Sequence, residues 1–265
     1  MKIRLVSDIH QEFYEDTSLY KTQGEDVLVL LGDIHTGAHQ VQKTLRKFHA
    51  EQKTIIYIPG NHEYYRSSIP DFDAAISLCT RDLGIHLLNP GMVRVGGVTF
   101  IGATLWTNFR RDAVAKLVCR NAINDFRSIQ DFDTDKCADI HETHFQYIQS
   151  AYLAAAEGPK VICTHFLPAV ECIAPEYQGP DLINYYFAND YGNYIGTLQN
   201  TTWLFAHTHT PVDITLGDTR VIANPYGYNK NPNYQEMILQ LWLLLTFYTY
   251  IFGRCGGLLP GLWLV

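Results

Sequence analysis

The chain has 265 residues, of which 47% are hydrophobic and 18% charged, and it carries a formal net charge of −7 at pH 7. This length and composition exclude a mostly disordered chain, and the acidic balance argues against a partner such as nucleic acid or an anionic membrane bound over a broad basic surface. The sequence also holds 11 histidines, and residues 237–265 contain a single charged side chain, Arg254.

The first half of the chain is predicted to alternate between strands and helices. Strands are predicted over residues 3–6, 26–31, 54–58, 93–95 and 98–101, where short apolar runs end at polar or turn residues. The nearly continuous apolar run over 26–31 indicates a strand that is covered on both faces. Helical spacing of apolar residues predicts helices over 37–50 and 71–82, the second with Asp71 or Asp73 near its start.

The second half contains two predicted helices, over about 112–121 and 139–157. Strands are predicted over residues 161–164, 203–205, 212–216 and 219–223. A turn signal at Gly217 and Asp218 joins the last two strands into a hairpin. The polar and aromatic stretch 181–199 is predicted to be helical in part. This order predicts an α/β layered fold with mixed sheets and no domain boundary before about residue 235.

Five short polar clusters each follow a predicted strand, where ligands and catalytic groups of α/β sheets collect. They are Asp8-Ile9-His10, Gly32-Asp33, Gly60-Asn61-His62-Glu63, Thr164-His165 and His207-Thr208-His209. Their side chains offer carboxylate, imidazole and amide donors without a thiolate, a set that suits divalent metals such as Mn, Fe or Zn. In an extended segment, residues two apart point to the same side, so D-x-H and H-x-H can each hold one ion.

Each cluster alone is weak evidence, because D-x-H and G-D occur by chance and an isolated histidine is more often a hydrogen-bonded polar residue than a ligand. The ordered set resembles the calcineurin-like metallophosphoesterase superfamily, whose pattern is D-x-H, G-D, G-N-H-[DE], a single H and G-H-x-H. The resemblance runs from Lys2 to about Tyr228, and the stretch over 219–228 is similar to small bacterial members. It implies an α/β fold with a four-layer αββα sandwich, in which two mixed β-sheets are flanked by helices.

The resemblance also implies a role for each residue of the motifs. One divalent metal ion would be held by Asp8, His10 and His209, and the second by Asn61, His165 and His207. Asp33 would bridge the two ions, which can be Mn, Fe, Zn or Ni, and His62 would stand unligated within reach of the substrate phosphate. One position departs from the pattern, since Ala206 replaces the usual glycine before H-x-H. Its methyl group is expected to crowd the backbone slightly and removes no ligand.

This constellation implies hydrolysis of a phosphomonoester or phosphodiester, with a small phosphate ester as the substrate. Two divalent ions about 3.5–4 Å apart neutralise the anionic ester, and a hydroxide that bridges them attacks phosphorus. His62, as imidazolium, would protonate the leaving oxygen or stabilise the transition state, a contribution of about 10²–10⁴-fold. Two alternatives stay open. One is a nuclease of the same fold, against which the acidic charge balance argues, and the other is a non-catalytic scaffold that binds protein, against which the complete ligand set argues.

Several further residues lie near these motifs or share their chemistry. His35 is expected beside the site in support of the ligands, and Glu63 is expected to orient its loop. Arg127, in the polar segment 124–127, either binds the substrate phosphate or forms a surface salt bridge. His141 and His144 stand three residues apart on one helical face, and we expect that face to be exposed to solvent because no third ligand lies nearby.

The two ends of the chain bear on its location. The first ten residues lack the long apolar core of a signal peptide, which predicts a cytoplasmic protein. The uncharged run over 237–253 falls slightly short of the roughly 20 residues that span a bilayer. We therefore divide the chain into a phosphoesterase domain over 1–236 and a hydrophobic tail over 237–265. Three interpretations of the tail stay open. It is a membrane anchor, which would make the protein membrane-associated, or a non-native end such as a frameshift would produce, or a buried terminal element.

Overall fold

The computed structural model of the chain describes residues 1–52, 54–228 and 238–240. The described strands are β1 (Lys2–Val6), β2 (Val27–Leu30), β3 (Ile55–Tyr57), β4 (His86–Leu87), β5 (Gly91–Val95), β6 (Val98–Ala103), β7 (Lys160–Thr164), β8 (Thr201–Phe205), β9 (Val212–Leu216), β10 (Thr219–Ala223) and β11 (Ile238–Gln240). The described α-helices are α1 (Ala38–Glu51), α2 (Ile69–Leu83), α3 (Ala113–Ala122), α4 (Asp125–Ser128), α5 (Thr134–Ala154), α6 (Asn184–Phe187) and α7 (Gly192–Ile195).

The first sheet holds five strands in the order β11-β1-β2-β3-β4. Strands β1 to β4 run parallel, with Leu5 opposite Val29 and Leu30 opposite Tyr57, and β11 lies antiparallel to β1 at one edge. Every residue of β2 is buried, because the sheet is covered on both faces. The prediction of a doubly covered strand within 26–31 is thus confirmed.

The second sheet holds six strands in the order β5-β6-β7-β8-β10-β9. Strands β6, β7, β8 and β10 run parallel, while β5 and β9 at the two edges are antiparallel to their neighbours. Strands β9 and β10 form the predicted hairpin, and Gly217 in its turn has a φ of 58°, which glycine adopts without strain. Both sheets are therefore mixed, as predicted.

An apolar cluster fills the space between the two sheets. Leu5 and Val29 of the first sheet join Phe100, Cys163 and Leu204 of the second in this cluster, and all are buried. These residues alternate along each strand with residues that point to the opposite face, because the side-chain period of a strand is two.

Helices cover the outer faces of the sheets. Val41, Leu45 and Phe48 share one face of α1, and Phe145 and Ile148 lie on α5; all five belong to the apolar cluster outside the sheets. The order of layers is helix, sheet, sheet and helix, which confirms the predicted four-layer αββα sandwich.

Two helices begin earlier than the apolar spacing predicts. Ser68 caps α2, since its side chain accepts a hydrogen bond from the N–H of Asp71, so the cap precedes the predicted aspartates. Helix α5 begins at Thr134 rather than near residue 139, because the carboxylate of Asp133 accepts hydrogen bonds from the N–H groups of its first turn. Capping side chains, rather than apolar residues, thus fix both starts.

Of the predicted tail over 237–265, the structure describes residues 238–240. They form β11, which pairs with residues 2–4 of β1, and Leu239 is buried there. The remainder of the tail, and with it the interpretations as a membrane anchor or a frameshifted end, lies outside the described residues. Within the described part of the chain, no helix combines the length and the apolar character that crossing a membrane requires.

Candidate metal centre

The five polar clusters meet where parallel strands of both sheets end. In chain order they follow β1, β2, β3, β7 and β8. Backbone hydrogen bonds join adjacent loops, with Asp8 N donating to Gly32 O at 3.0 Å and His10 N donating to Asp33 O at 2.9 Å. Ala206, which departs from the family pattern, places its methyl group in the apolar cluster between the sheets. The departure therefore displaces none of the predicted ligands.

Five of the seven predicted ligands adopt the left-handed backbone conformation. They are Asp8, His10, Asp33, His207 and His209, with φ between 40° and 68°. Such conformations cost about 1–3 kcal/mol each in non-glycine residues and persist where the surrounding structure imposes them, often at functional sites. Glycine is required beside them, because a Cβ on Gly32 would lie 2.2 Å from Gly60 N and a Cβ on Gly60 would lie 2.2 Å from Asp33 Oδ1.

The first group of predicted ligands consists of Asp8, His10, Asp33 and His209, each of which offers a donor atom within 4.8 Å of the others. His10 Nε2 lies 3.0 Å from His209 Nε2 and 3.7 Å from Asp33 Oδ2. His209 Nε2 lies 3.6 Å from Asp8 Oδ1. Two imidazole nitrogens and two carboxylate oxygens therefore face one another at the ends of β1, β2 and β8.

The second group consists of Asn61, His165 and His207, again with Asp33. His165 Nε2 lies 3.2 Å from His207 Nδ1 and 3.1 Å from Asn61 Oδ1. The same nitrogen lies 3.5 Å from Asp33 Oδ1. All four residues are buried. Asp33 joins the two groups, because its Oδ2 faces His10 while its Oδ1 faces His165. His207 and His209 lie in different groups and have a left-handed rather than an extended backbone, which corrects the expectation that H-x-H holds one ion.

Charges within the centre shift the pKa values of its members. Burial alone would raise the pKa of Asp33, but His165, His62 and other neighbours outweigh it and hold that pKa well below its usual range. Burial lowers the pKa of His165, and the carboxylates of Asp33 and Asp8 outweigh it and raise that pKa to about 9. Burial and the charge of His165 hold the pKa of His207 well below its usual value. Asp33 is therefore ionised and His207 neutral near pH 7, the forms in which they bind metals, whereas His165 has to release a proton to become a ligand.

The donor set fits divalent metal ions. In each group two imidazole nitrogens meet beside a carboxylate oxygen, and neither group contains a thiolate. Either a proton on one nitrogen or a cation between the two can join such a pair, and a cation is bound by both lone pairs. Imidazole, carboxylate and amide ligands suit borderline and hard cations. The residues present thus match the cofactor class that the sequence predicts.

His62 lies beside both groups and shares a third cluster with His10 and Glu12. The backbone N–H of His62 donates to Asp33 Oδ1 at 3.0 Å, and its ring Nδ1 lies 3.0 Å from Glu12 Oε1. The same oxygen of Glu12 lies 3.1 Å from His10 Nδ1. Burial lowers the pKa of His62, but Asp33 and Glu12 outweigh it and raise that pKa to about 9. Glu12 was not among the residues predicted from the sequence, although it stands two positions after His10, as His10 stands two after Asp8.

Asn61 is held by Asp125, a buried residue of the polar segment 124–127. Asn61 Nδ2 donates to Asp125 Oδ1 at 3.1 Å, which turns Asn61 Oδ1 toward His165. The hydroxyl of Tyr65 donates to the same carboxylate oxygen at 2.6 Å, and the hydroxyl of Tyr186 donates to the other oxygen. Burial raises the pKa of Asp125, although these donors oppose the rise. Arg127 is the residue of this segment that the sequence predicts to act at the site, whereas in the structure Asp125 is the one that contacts a predicted ligand.

Glu63 fastens the G-D loop to the G-N-H turn. Its fully buried carboxylate accepts hydrogen bonds from the N–H groups of Asp33 at 2.9 Å, Ile34 at 3.0 Å and Gly60 at 3.0 Å. The hydroxyl of Tyr57 donates to it at 3.2 Å. Burial and the charge of Asp33 raise the pKa of Glu63 to about 8. These contacts supply the loop orientation that the sequence predicts for this residue.

Two other predicted residues lie outside the ligand groups. Arg127 is exposed, and its Nη2 donates to the carbonyl oxygen of Asn121. His35 lines an adjoining cavity with Glu12, and its Nδ1 accepts a hydrogen bond from Thr36 N at 2.7 Å. A phosphate contact of Arg127 and a supporting role of His35 therefore stay predictions.

His141 and His144 are buried, which corrects the expectation that they lie on a solvent-exposed face. His141 Nδ1 lies 2.7 Å from Leu105 O, and its Nε2 lies 2.6 Å from the hydroxyl of Tyr191. His144 Nδ1 accepts a hydrogen bond from Leu105 N at 3.2 Å. Both rings thus bind the backbone of the loop that follows β6. Their spacing identifies the face they share and not what covers it.

The chain is similar to known phosphoesterases in both sequence and fold. A family model for the calcineurin-like phosphoesterase matches residues 1–213. The uncharacterized protein L509 of Acanthamoeba polyphaga mimivirus is 28% identical over an alignment that covers 87% of this chain and 92% of that protein. The solved structure of the phosphopantetheinyl hydrolase PptH from Mycobacterium tuberculosis matches with a TM-score of 0.70 at 14% identity, over 86% of this chain and 89% of that chain. At that identity, the likeness concerns the fold.

Proposed function

The chain belongs to the calcineurin-like phosphoesterase family, and on that premise we propose that it hydrolyses a small phosphomonoester or phosphodiester at the metal centre. The observation that carries the proposal is the position of Asp33, whose two carboxylate oxygens face the two ligand groups. A carboxylate shared in this way holds two cations close enough to act on one phosphate.

The proposed ligands are the seven residues of the two groups. One divalent cation would be held by Asp8, His10 and His209. The other would be held by Asn61, His165 and His207, and Asp33 would be a ligand of both cations. When bound, the cations supply positive charge that neutralises the ester and lowers the pKa of water. Mn, Fe, Zn and Ni all match this donor set.

His62 supplies the proton in the proposed reaction. Its ring lines the cavity beside the centre, and its Nδ1 is engaged by Glu12, which leaves Nε2 as the ring nitrogen for the proposed proton transfer. The carboxylates of Asp33 and Glu12 raise the pKa of His62 to about 9, which favours the imidazolium from which a proton can pass to the leaving oxygen. Glu12 orients this ring. Glu63 holds the G-D loop against the G-N-H turn, and Asp125 holds the side-chain amide of Asn61.

The test uses the full chain loaded with Mn²⁺, assayed on 4-nitrophenyl phosphate and bis(4-nitrophenyl) phosphate. Wild type is expected to hydrolyse at least one ester, Asp33→Asn to lose activity, and His62→Ala to lose about 10²–10⁴-fold in rate. His49→Ala, which removes an exposed histidine of α1, serves as the control and is expected to keep full activity.

Three outcomes would contradict parts of the proposal. Unchanged activity of Asp33→Asn would contradict a centre built around that carboxylate. A metal-loaded wild type that hydrolyses neither ester would favour the non-catalytic scaffold. Preference for a single-stranded oligonucleotide over both aryl esters would favour the nuclease.

A further inference from the structure

A cavity of about 620 Å³ opens from the metal centre and extends along residues 173–187. Asp33, His62 and His207 line it at the metal centre, and Tyr228, whose ring lies 4.4 Å from that of His209, also borders it. Clefts of about 300–1,000 Å³ are typical of sites for drug-sized organic ligands. This space, which we call the side cavity, therefore holds more than a phosphate group.

The wall of the side cavity is largely apolar and aromatic. Ile173, Pro180, Ile183 and Phe187 line it, together with the ring of Tyr177, which is 64% exposed. An organic group seated against these side chains removes its own apolar surface and theirs from water, which favours binding. The apolar side chains of this wall offer no hydrogen bond to an additional phosphate or carboxylate, and no cationic side chain of the described residues lines it.

The charged groups of the side cavity beyond the metal centre are acidic. They are Glu176 and Asp181, and among the described residues no lysine or arginine lines the cavity. Arg110 contacts the same segment, but its Nε donates to Ala188 O at 3.3 Å and its guanidinium lies 4.2 Å over the ring of Tyr185. An anionic group in the side cavity would therefore meet two carboxylates of like charge.

Hydrogen bonds within the segment support the wall. Ile183 N donates to Asp181 Oδ1 at 3.0 Å, and Asn184 Nδ2 donates to Tyr177 O at 2.8 Å. Ala174 anchors the start of the segment in the protein interior, where it is buried. Contacts that restrain the wall lower the entropic cost of binding a group against it.

We propose that the side cavity binds the organic group of the ester, and that it selects substrates whose organic group is uncharged and apolar over substrates that carry a second anionic group there. This inference rests on the proposed function, since it takes the phosphate to lie at the metal centre. The substrate class is the phosphate esters of uncharged aromatic or aliphatic alcohols, as opposed to polyphosphates or esters of acidic alcohols.

Three phosphonates test this selectivity, because each carries one organic group and is not hydrolysed. They are methylphosphonate, naphthylmethylphosphonate and the same naphthyl compound with a carboxylate on its far ring. Their dissociation constants are measured by calorimetry on the Mn²⁺-loaded full chain. The naphthyl compound is expected to bind at least about tenfold more tightly than methylphosphonate, and the carboxylate to weaken its binding at least about tenfold.

Matched variants locate the effect in the side cavity. Tyr177→Ala is expected to weaken binding of the naphthyl compound, whereas Tyr14→Ala, which removes a tyrosine of similar exposure (59%) outside the cavity, is expected to leave it unchanged. The double variant Glu176→Gln with Asp181→Asn is expected to reduce the penalty of the carboxylate, and both side chains are exposed enough to change without unfolding.

The inference and the proposed function fail in distinguishable ways. Affinities of the three phosphonates within about threefold of one another, or equal effects of Tyr177→Ala and Tyr14→Ala, would overturn the inference even if wild type hydrolyses aryl phosphates. Selective phosphonate binding by a protein that hydrolyses no phosphate ester would instead support the side cavity and overturn the proposed hydrolysis.

Discussion

Replacing Asp125 with alanine tests how far the centre depends on a residue that is not among its ligands. The Asp125 carboxylate accepts hydrogen bonds from Asn61 Nδ2 at 3.1 Å and from the hydroxyl of Tyr65 at 2.6 Å. Alanine removes the carboxylate that accepts both hydrogen bonds, so the side-chain amide of Asn61 is able to rotate by about 180°. Its NH₂ group, which has no lone pair for a metal, can then replace Oδ1 beside His165.

The expected loss follows from the single hydrogen bond that fixes the amide. A hydrogen bond to a charged group contributes about 1.5–3 kcal/mol, and each 1.4 kcal/mol corresponds to a factor of ten in affinity. Asp125→Ala is therefore expected to weaken metal binding at the position of Asn61 about 10–100-fold, the range typical of residues that orient metal ligands.

The assay is calorimetric titration of the full chain with Mn²⁺, with circular dichroism to verify the fold. Asp125→Asn is the control, because its amide oxygen can still accept from Asn61 while its NH₂ donates to the hydroxyl of Tyr186. That variant is expected to stay within about threefold of wild type. If folded Asp125→Ala binds Mn²⁺ as tightly as wild type, the reasoning that Asp125 orients the ligand is wrong.

Two further predictions concern stability. Burial and His141 lower the pKa of His144 from 6.5 to about 3, so between these pH values the unfolded chain binds more protons and acid destabilises the fold. His144→Asn keeps an acceptor for the N–H of Leu105. It is expected to reduce the acid dependence of the unfolding free energy by up to about 1.4 kcal/mol per pH unit. Denaturant unfolding of both proteins at pH 6 and pH 4 measures this dependence, and an equal change of unfolding free energy with pH in wild type and variant would refute the prediction. A chain that ends at residue 236 lacks β11 and the buried Leu239. Its unfolding free energy, measured in urea, is expected to be about 1.5–3 kcal/mol lower than that of a chain that ends at residue 240. Equal unfolding free energies would contradict the pairing of β11 with β1.

The position of the site could be predicted because its residues follow readable strands. Asp8 follows the first apolar run, Asp33 the second and Asn61 the third, and the carboxyl ends of parallel strands share one edge of a sheet. The sequence does not determine which atoms face each other. That Asp33 presents a different oxygen to each ligand group depends on its left-handed backbone and on the close approach of Gly32 and Gly60.

The residues that support the ligands could not be predicted in the same way. Asp125 reaches Asn61 from a short helix 64 positions away, and no local pattern marks such a contact. Spacing places His141 and His144 on one face but does not reveal that a loop after β6 covers it. The three residues of β11 lie in an apolar run whose strand partner, β1, stands at the other end of the chain.

The claim that the centre holds two divalent cations sharing Asp33 is tested most directly by counting bound ions. Equilibrium dialysis of the full chain against Mn²⁺, followed by elemental analysis, gives the number of ions per chain at saturation. Wild type is predicted to bind two ions and Asp33→Asn at most one with comparable affinity, because both ligand groups include that carboxylate. A folded wild type that binds one ion or none at saturation would contradict the two-metal centre.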